Sequence, residues 1–113
     1  MALKHAGSTA KVFAMEGEGG HTAGAHHEVK NSAWGLGLDN LVYLLDWNDH
    51  GIDTFANSTV GFGTPKDWFE SYGWRVAGAE DGHDYEQLTR ALLEIVQAEE
   101  TGGRPGCVWF KTR

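Results

Sequence analysis

The chain has 113 residues, 41% hydrophobic and 22% charged, which is the mass and mix of one soluble domain around one core. Sixteen acids against nine bases leave a net charge of -7 spread along the chain, and electrostatics alone argues against a nucleic-acid backbone or an anionic membrane surface as partner. The longest apolar runs, such as residues 41–45, fall far short of the roughly twenty residues of a membrane helix. The first residues show no secretory signal pattern, and the single cysteine, Cys107, sits in an apolar run as a packed, reduced thiol; together these predict a cytoplasmic location.

Residues 1–7 read as the last turn and a half of a helix whose body is absent. Residues 12–15 form a first apolar run, closed by the glycine-rich turn AMEGEGG. Residues 21–38 are long enough for a helix, with glycines blurring both ends. The run LVYLL at 41–45 lacks polar alternation, as a strand covered on both faces should. Thr64-Pro65 and the following KDWFESYG give a helix start with Pro65 and Asp67 in its first turn and Gly73 as its stop. A third strand is expected at 74–79. Asp84 then caps a helix over 85–100, in which Leu88, Ala91, Leu92, Ile95 and Val96 recur at helical spacing. A fourth strand at 107–110 is followed at once by residues 111–113. This alternation predicts an α/β fold of three layers, with a mostly parallel sheet of about four strands, flanking helices and right-handed crossovers. The two ends look unlike natural domain ends, so residues 1–113 are expected to be a single partial domain.

In such folds the chemistry gathers at the carboxyl ends of the strands. After the first strand, Gly17 leaves its backbone N–H unobstructed between Glu16 and Glu18; after the second, LLDWNDHGID crowds Asp46, Asn48, Asp49 and Asp53 together. A carboxylate and a carboxamide from two neighbouring strand ends suit a hard cation whose shell a phosphate completes; solvated loop acids are the plain alternative. His21, His26, His27 and Glu28 could suggest a transition-metal cluster, but their spacing is not that of one helix face, and exposed or loop histidines are expected. His83 in DGHD reads as part of the turn before the Asp84 cap. The five tryptophans read as core or interface residues in so acidic a chain, not as base-stacking platforms.

The run EGEGG, then Glu28, LDNLVYLLDWND, FESYGWRV and DGHD resembles, in order and over almost the whole chain, the diphosphate-binding domain of transketolase. That family opens the segment with Gly-Asp-Gly-Glu and closes it with an Asn roughly thirty residues later, the thiamine diphosphate signature. The resemblance implies thiamine diphosphate and Mg2+ as cofactors, with Ca2+ as an alternative cation. Glu16 falls on the metal-binding Asp, Asn48 on the metal-binding Asn, and His50 on the residue that offers its backbone carbonyl to the metal. Gly17, Glu18 and Asn48 are the expected cofactor contacts, and Glu28 matches a Glu of the carboxylate network at the dimer interface, the nearest to a catalytic residue in this segment. Between Glu16 and Glu28 the spacing is two residues longer than the family's, which places an insertion within residues 19–27; Met15 stands for the motif's first Gly.

The resemblance implies ketol transfer between sugar phosphates by the full enzyme. The upstream phosphate-contacting histidines and the second domain's activating Glu are not in these residues, so the chain alone is expected to be inactive, and to be a homo-oligomer or to pair with a complementary transketolase subunit. Its runners-up are a fragment of another thiamine diphosphate enzyme, either a 2-oxo acid dehydrogenase component or deoxyxylulose phosphate synthase, and a noncatalytic interaction module.

Overall fold

The computed structural model describes residues 1–52, 55 and 61–112; Asp53, one of the acids after the second strand, lies outside them. After a short helix, α1 (Ala2–His5), come β1 (Val12–Gly17), a 3-10 turn (Glu18–Thr22), α2 (Gly24–Gly35), β2 (Leu41–Trp47), α3 (Pro65–Glu70), β3 (Arg75–Ala79), α4 (Tyr85–Val96) and β4 (Gly106–Lys111). The four strands form one sheet in the order β1-β2-β4-β3, every pair parallel. The expected alternation and three-layer α/β architecture are therefore observed.

Both cap signals do what their chemistry allows. Thr64 and Asp67 form a reciprocal box at the start of α3, where the Asp67 carboxylate accepts from the Thr64 N–H at 2.7 Å and the Thr64 hydroxyl accepts from the Asp67 N–H at 3.3 Å. At α4 the Asp84 carboxylate accepts from the N–H groups of Glu86 and Gln87 at 2.9 and 3.2 Å. Side-chain donors, the Thr64 hydroxyl at 2.7 Å from Asp67 Oδ2 and the Gln87 carboxamide at 2.9 Å from Asp84 Oδ2, act first, and with these backbone donors they hold both carboxyls below their usual pKa. Gly73, at φ +77°, ends the turn after α3 in a conformation few side-chain-bearing residues adopt.

Because neighbouring strand residues point to opposite faces, β2 sends Val42 one way and Tyr43 and Leu45 the other. On the first face Val42, Ala77 and Val108 meet Ala91 and Ile95 of α4 in an aliphatic layer. On the second, Tyr43, Leu45 and Cys107 meet Ala33 of α2, Phe69 of α3 and Trp74 in a layer dominated by aromatic rings. Arg75 ties β3 to the end of α4 by donating to the Ile95 carbonyl at 3.0 Å, and Trp74 ties it to α2 through the Lys30 carbonyl at 2.9 Å. Cys107 is fully buried, and burial pushes its thiol pKa up, so it is an inert core residue as expected.

Element ends shift for local reasons. β2 runs on through Asp46 and Trp47 because β4 continues beside it, Asp46 opposite Phe110 and Trp47 opposite Lys111. The helix expected over 21–38 begins only at Gly24, after a separate 3-10 turn, and stops at Gly35 before Gly37 at φ +61°. Among the described residues no helix is long and apolar enough to cross a membrane.

Candidate functional site

The register pairs Glu16 with Leu45 and Gly17 with Asp46, so the carboxyl ends of β1 and β2 finish level with one another. Glu16 is exposed; its Oε1 accepts from the N–H of the adjacent Gly17 at 3.3 Å, and its carboxyl packs so closely on Gly20 that a Cβ there would sit 2.9 Å from it. Glu18 behaves oppositely. It opens the 3-10 turn with its side chain turned inward and only 3% exposed, its Oε2 accepts the Asn48 N–H at 3.2 Å, and its Oε1 is buried with no hydrogen-bond partner among the described residues.

Beyond β2 the chain makes a tight polar turn. Asn48 donates through Nδ2 to Asp46 Oδ2 at 2.8 Å and accepts the His50 N–H on Oδ1 at 2.7 Å, while the His50 Nδ1 lies 3.0 Å from the Asn48 carbonyl. Asp49 takes the left-handed conformation, φ 56°, that the turn requires. Asp46 also accepts the Thr112 hydroxyl on Oδ1 at 2.7 Å, so both of its carboxylate oxygens are engaged within the protein.

Gly17, Glu18, Asn48 and His50 are thus brought to the paired ends of β1 and β2. Glu16 lies beside them but faces solvent, and Glu28 is exposed on α2. A buried carboxylate oxygen without a donor is costly, and a hard cation, which binds through oxygen, would offset that cost. Glu18 Oε1 therefore fits a cation. Among the described residues no three His, Cys, Asp or Glu side chains converge as a metal site, so any cation here would also need carboxamide, carbonyl or phosphate oxygens. A Cβ built on Gly17 or Gly19 would meet nothing within 4 Å, which leaves the outer side of the turn open to such a group.

The expectation of exposed histidines fails at His21, which is 2% exposed. Its ring packs against Tyr43 at 5.3 Å, Phe69 at 5.2 Å and His26 at 4.9 Å, and neither nitrogen has a hydrogen-bond partner among the described residues. Burial, reinforced by His26, Lys30 and His27, lowers its pKa to about 3, so it is neutral at pH 7. Aromatic neighbours from β2 and α3 cover a residue that its glycine-rich surroundings mark as a loop. His27 is exposed as expected, its Nδ1 2.9 Å from the Tyr72 hydroxyl.

A cavity of about 390 Å³ opens at the carboxyl ends of β2, β3 and β4, between Trp47, Lys66, Glu80, Trp109 and Lys111. Trp109 lies flat on the backbone of Gly78, where a Cβ would fall 1.9 Å from its ring, so only glycine permits that wall. The sequence reading singled out neither this cavity nor the inward turn of Glu18. For Glu18 a signal was available: Gly17-Glu18-Gly19 reads Gly-acid-Gly, and Asn48 follows that acid by thirty residues.

A family profile described as transketolase, thiamine diphosphate binding domain, matches residues 4–113. Among similar proteins, transketolase 1 of Vibrio cholerae is 36% identical over 101 residues, 89% of this chain and 15% of its own length. Transketolase 2 of Vibrio parahaemolyticus is 34% identical over 101 residues, covering 89% of this chain and 14% of its own. Among solved structures, transketolase from Campylobacter jejuni superposes on 92% of this chain and 16% of its own with a TM-score of 0.77 at 26% identity. A Pichia stipitis transketolase in complex with sedoheptulose 7-phosphate, at 23% identity, shares the fold with a TM-score of 0.80 over 92% of this chain and 15% of its own. The chain thus spans about 15% of the length of the relatives it matches, and it belongs to the transketolase thiamine diphosphate-binding domain family.

Proposed function

We propose that this chain supplies the cation and diphosphate end of a thiamine diphosphate site in a transketolase-type enzyme that moves two-carbon ketol units between sugar phosphates. Its 113 residues then stand for the central and C-terminal part of the diphosphate-binding domain. The observation that carries the reading is Glu18, buried, with one carboxylate oxygen on the Asn48 N–H at 3.2 Å and the other without a partner among the described residues. In this reading the cation's carboxylate is Glu18 rather than Glu16. With Gly17-Glu18-Gly19 as the Gly-acid-Gly motif, Glu28 follows ten residues on with no insertion to explain, and Met15 no longer occupies a motif position.

When bound, thiamine diphosphate supplies the electron sink for breaking a carbon–carbon bond beside a ketose carbonyl. The residues of this chain position and neutralise. Glu18 brings a negative charge to the cation, and Asn48, held by Asp46, adds its carboxamide oxygen once the His50 N–H releases it. The His50 carbonyl completes the protein's share, and the Gly17 N–H, now on an exposed carboxylate, is the donor offered to a phosphate oxygen. Glu18 carries one methylene more than the family's Asp. Calcium tolerates that displacement better than the rigid octahedron of magnesium does, which makes Ca2+ an informative second cation. Exposed Glu28 is available to a second subunit, either another copy or a complementary transketolase chain, and ketol transfer by this chain alone is not expected.

Calorimetric titration of thiamine diphosphate with and without Mg2+ or Ca2+ tests the assignment. Binding should need the cation. Glu18→Gln should weaken it by about a hundredfold or more, and Glu16→Gln by no more than about threefold. The opposite ranking would return the cation to Glu16, and no cation-dependent binding by the wild type would remove the reading of a self-sufficient half-site.

A further inference from the structure

Lys30 is the least expected residue in the core. It lies in α2, is 2% exposed, and its ammonium has no hydrogen-bond partner among the described residues. Three rings surround it: Nζ is 4.6 Å from the centroid of Trp68, 4.9 Å from Tyr72 and 5.3 Å from Phe69. Ring faces attract a cation but accept little from its three donor hydrogens, so most of the loss of hydration stands uncompensated.

Among the described residues no carboxylate answers this charge, and the Cys107 thiol, the acidic group that acts on Lys30, is kept neutral by its own burial. His21 is neutral, and the ring of His27 lies toward Tyr72 and Trp68. Asp67, the acid in the nearby wall, has a single oxygen, Oδ2, accepting both the Thr64 N–H and the Thr64 hydroxyl, each at 2.7 Å. Beside Lys30 is an open cavity of about 280 Å³, whose wall includes His27, Trp68, Ser71 and Tyr72. The Ser71 hydroxyl and the His27 ring are potential donors there, and the volume suits a small polar group better than a large apolar ligand.

We propose that this cavity is a binding site for a small oxyanion, a phosphate or carboxylate group, with the Lys30 ammonium as its charge partner and Ser71 and His27 as hydrogen-bond donors at its mouth. The site is separate from the β1–β2 strand ends and does not rest on the cation assignment there. An anion that reached the ammonium from this cavity would accept the hydrogens that the aromatic cage leaves unmet.

The test is thermal unfolding of the whole chain at constant ionic strength, with sodium chloride replaced stepwise by sodium phosphate or sodium acetate. At ten times the dissociation constant of the preferred anion, the wild-type midpoint should rise by about 5–10 °C and go on rising with the logarithm of the anion concentration. A logarithmic rise with phosphate alone identifies a phosphate site, and with acetate alone a carboxylate site. Lys30→Met and Lys30→Gln should both abolish that rise. Independently of any variant, the preferred anion should shift the wild-type amide resonances of residues 28–31 and 68–72 saturably and leave those of α4 in place. No logarithmic rise, an equal rise in both variants, or resonance shifts spread over the whole surface would overturn the proposal.

Discussion

The two faces of the sheet are built on different principles. Over α4 the layer is aliphatic: Val42, Ala77, Val108, Ala91 and Ile95 pack with no buried acid, histidine or lysine among them. Under α2 and α3 the layer is aromatic and encloses the His21 ring and the Lys30 ammonium, both residues 2% exposed and neither group with a hydrogen-bond partner among the described residues, while Glu18 lies buried at its edge. Apolar packing satisfies most of the first face; its polar exception is Arg75 at the edge, which donates to the Ile95 carbonyl and keeps Nη2 buried without a partner among the described residues. The second carries buried polar groups that packing alone cannot satisfy, and such groups persist where a ligand, a cation or a solvent molecule has a place.

Deep truncation should not separate the faces. Phe69→Ala on the aromatic side should cost about 4 kcal/mol and Ile95→Ala on the aliphatic side about 3 kcal/mol, because each removes a fully enclosed side chain from a close-packed layer. Urea unfolding would measure both. A cost below about 1 kcal/mol on the aromatic side alone would mean that face is loosely packed, and the comparison would then be one of order rather than chemistry.

Acid should separate them. An unfolded His21 titrates near 6.5, whereas the folded one is held to about 3, first by desolvation and then by His26, Lys30 and His27. Between those values the unfolded chain binds a proton that the folded chain excludes. The contribution is therefore whole above about pH 6.5 and is lost as the pH falls toward 3, by on the order of 4 kcal/mol. His21→Phe should flatten that part of the stability curve. An unchanged slope in the variant would place the acid sensitivity elsewhere.

Lys30 should give a smaller change of opposite sign. Burial lowers its pKa, so at neutral pH the folded state holds the charge less comfortably than the unfolded state does. In chloride, Lys30→Met should raise stability by about 1–3 kcal/mol, since the methionine fills the cage without a charge to desolvate. A loss of stability would show that the three rings already compensate the ammonium.

The aliphatic face was the more legible of the two. Leu88, Ala91, Leu92, Ile95 and Val96 announce α4 by spacing, and the strand runs announce the sheet, because apolar periodicity and burial are there the same fact. On the aromatic face they part company: within α2, Val29 is 48% exposed while its neighbour Lys30 is buried, the reverse of what their side chains suggest. Only rings arriving from α3 make that exchange tolerable, and no local pattern encodes their arrival. At the strand ends the acids were visible as a group, but which of Glu16 and Glu18 turns inward depends on β1 ending at Gly17 and a 3-10 turn starting at once.

The helix caps supply the smallest effects and a control on the comparison. Thr64 and Asp67 cap α3 on the aromatic side, and Asp84 caps α4 on the aliphatic side, each satisfying N–H groups that the first turn leaves open. Thr64 and Asp67 are exposed and Asp84 is half-buried, so the strength of either cap owes little to the layer beneath. Thr64→Ala and Asp84→Ala should each cost about 1 kcal/mol, and the two losses should agree within about 0.5 kcal/mol. Agreement would leave the buried ionisable groups as the source of any difference between the faces. A Thr64→Ala loss several times larger would instead mean that α3 is held mainly by its cap, and that the cage around Lys30 depends on an exposed hydroxyl at the far end of a six-residue helix.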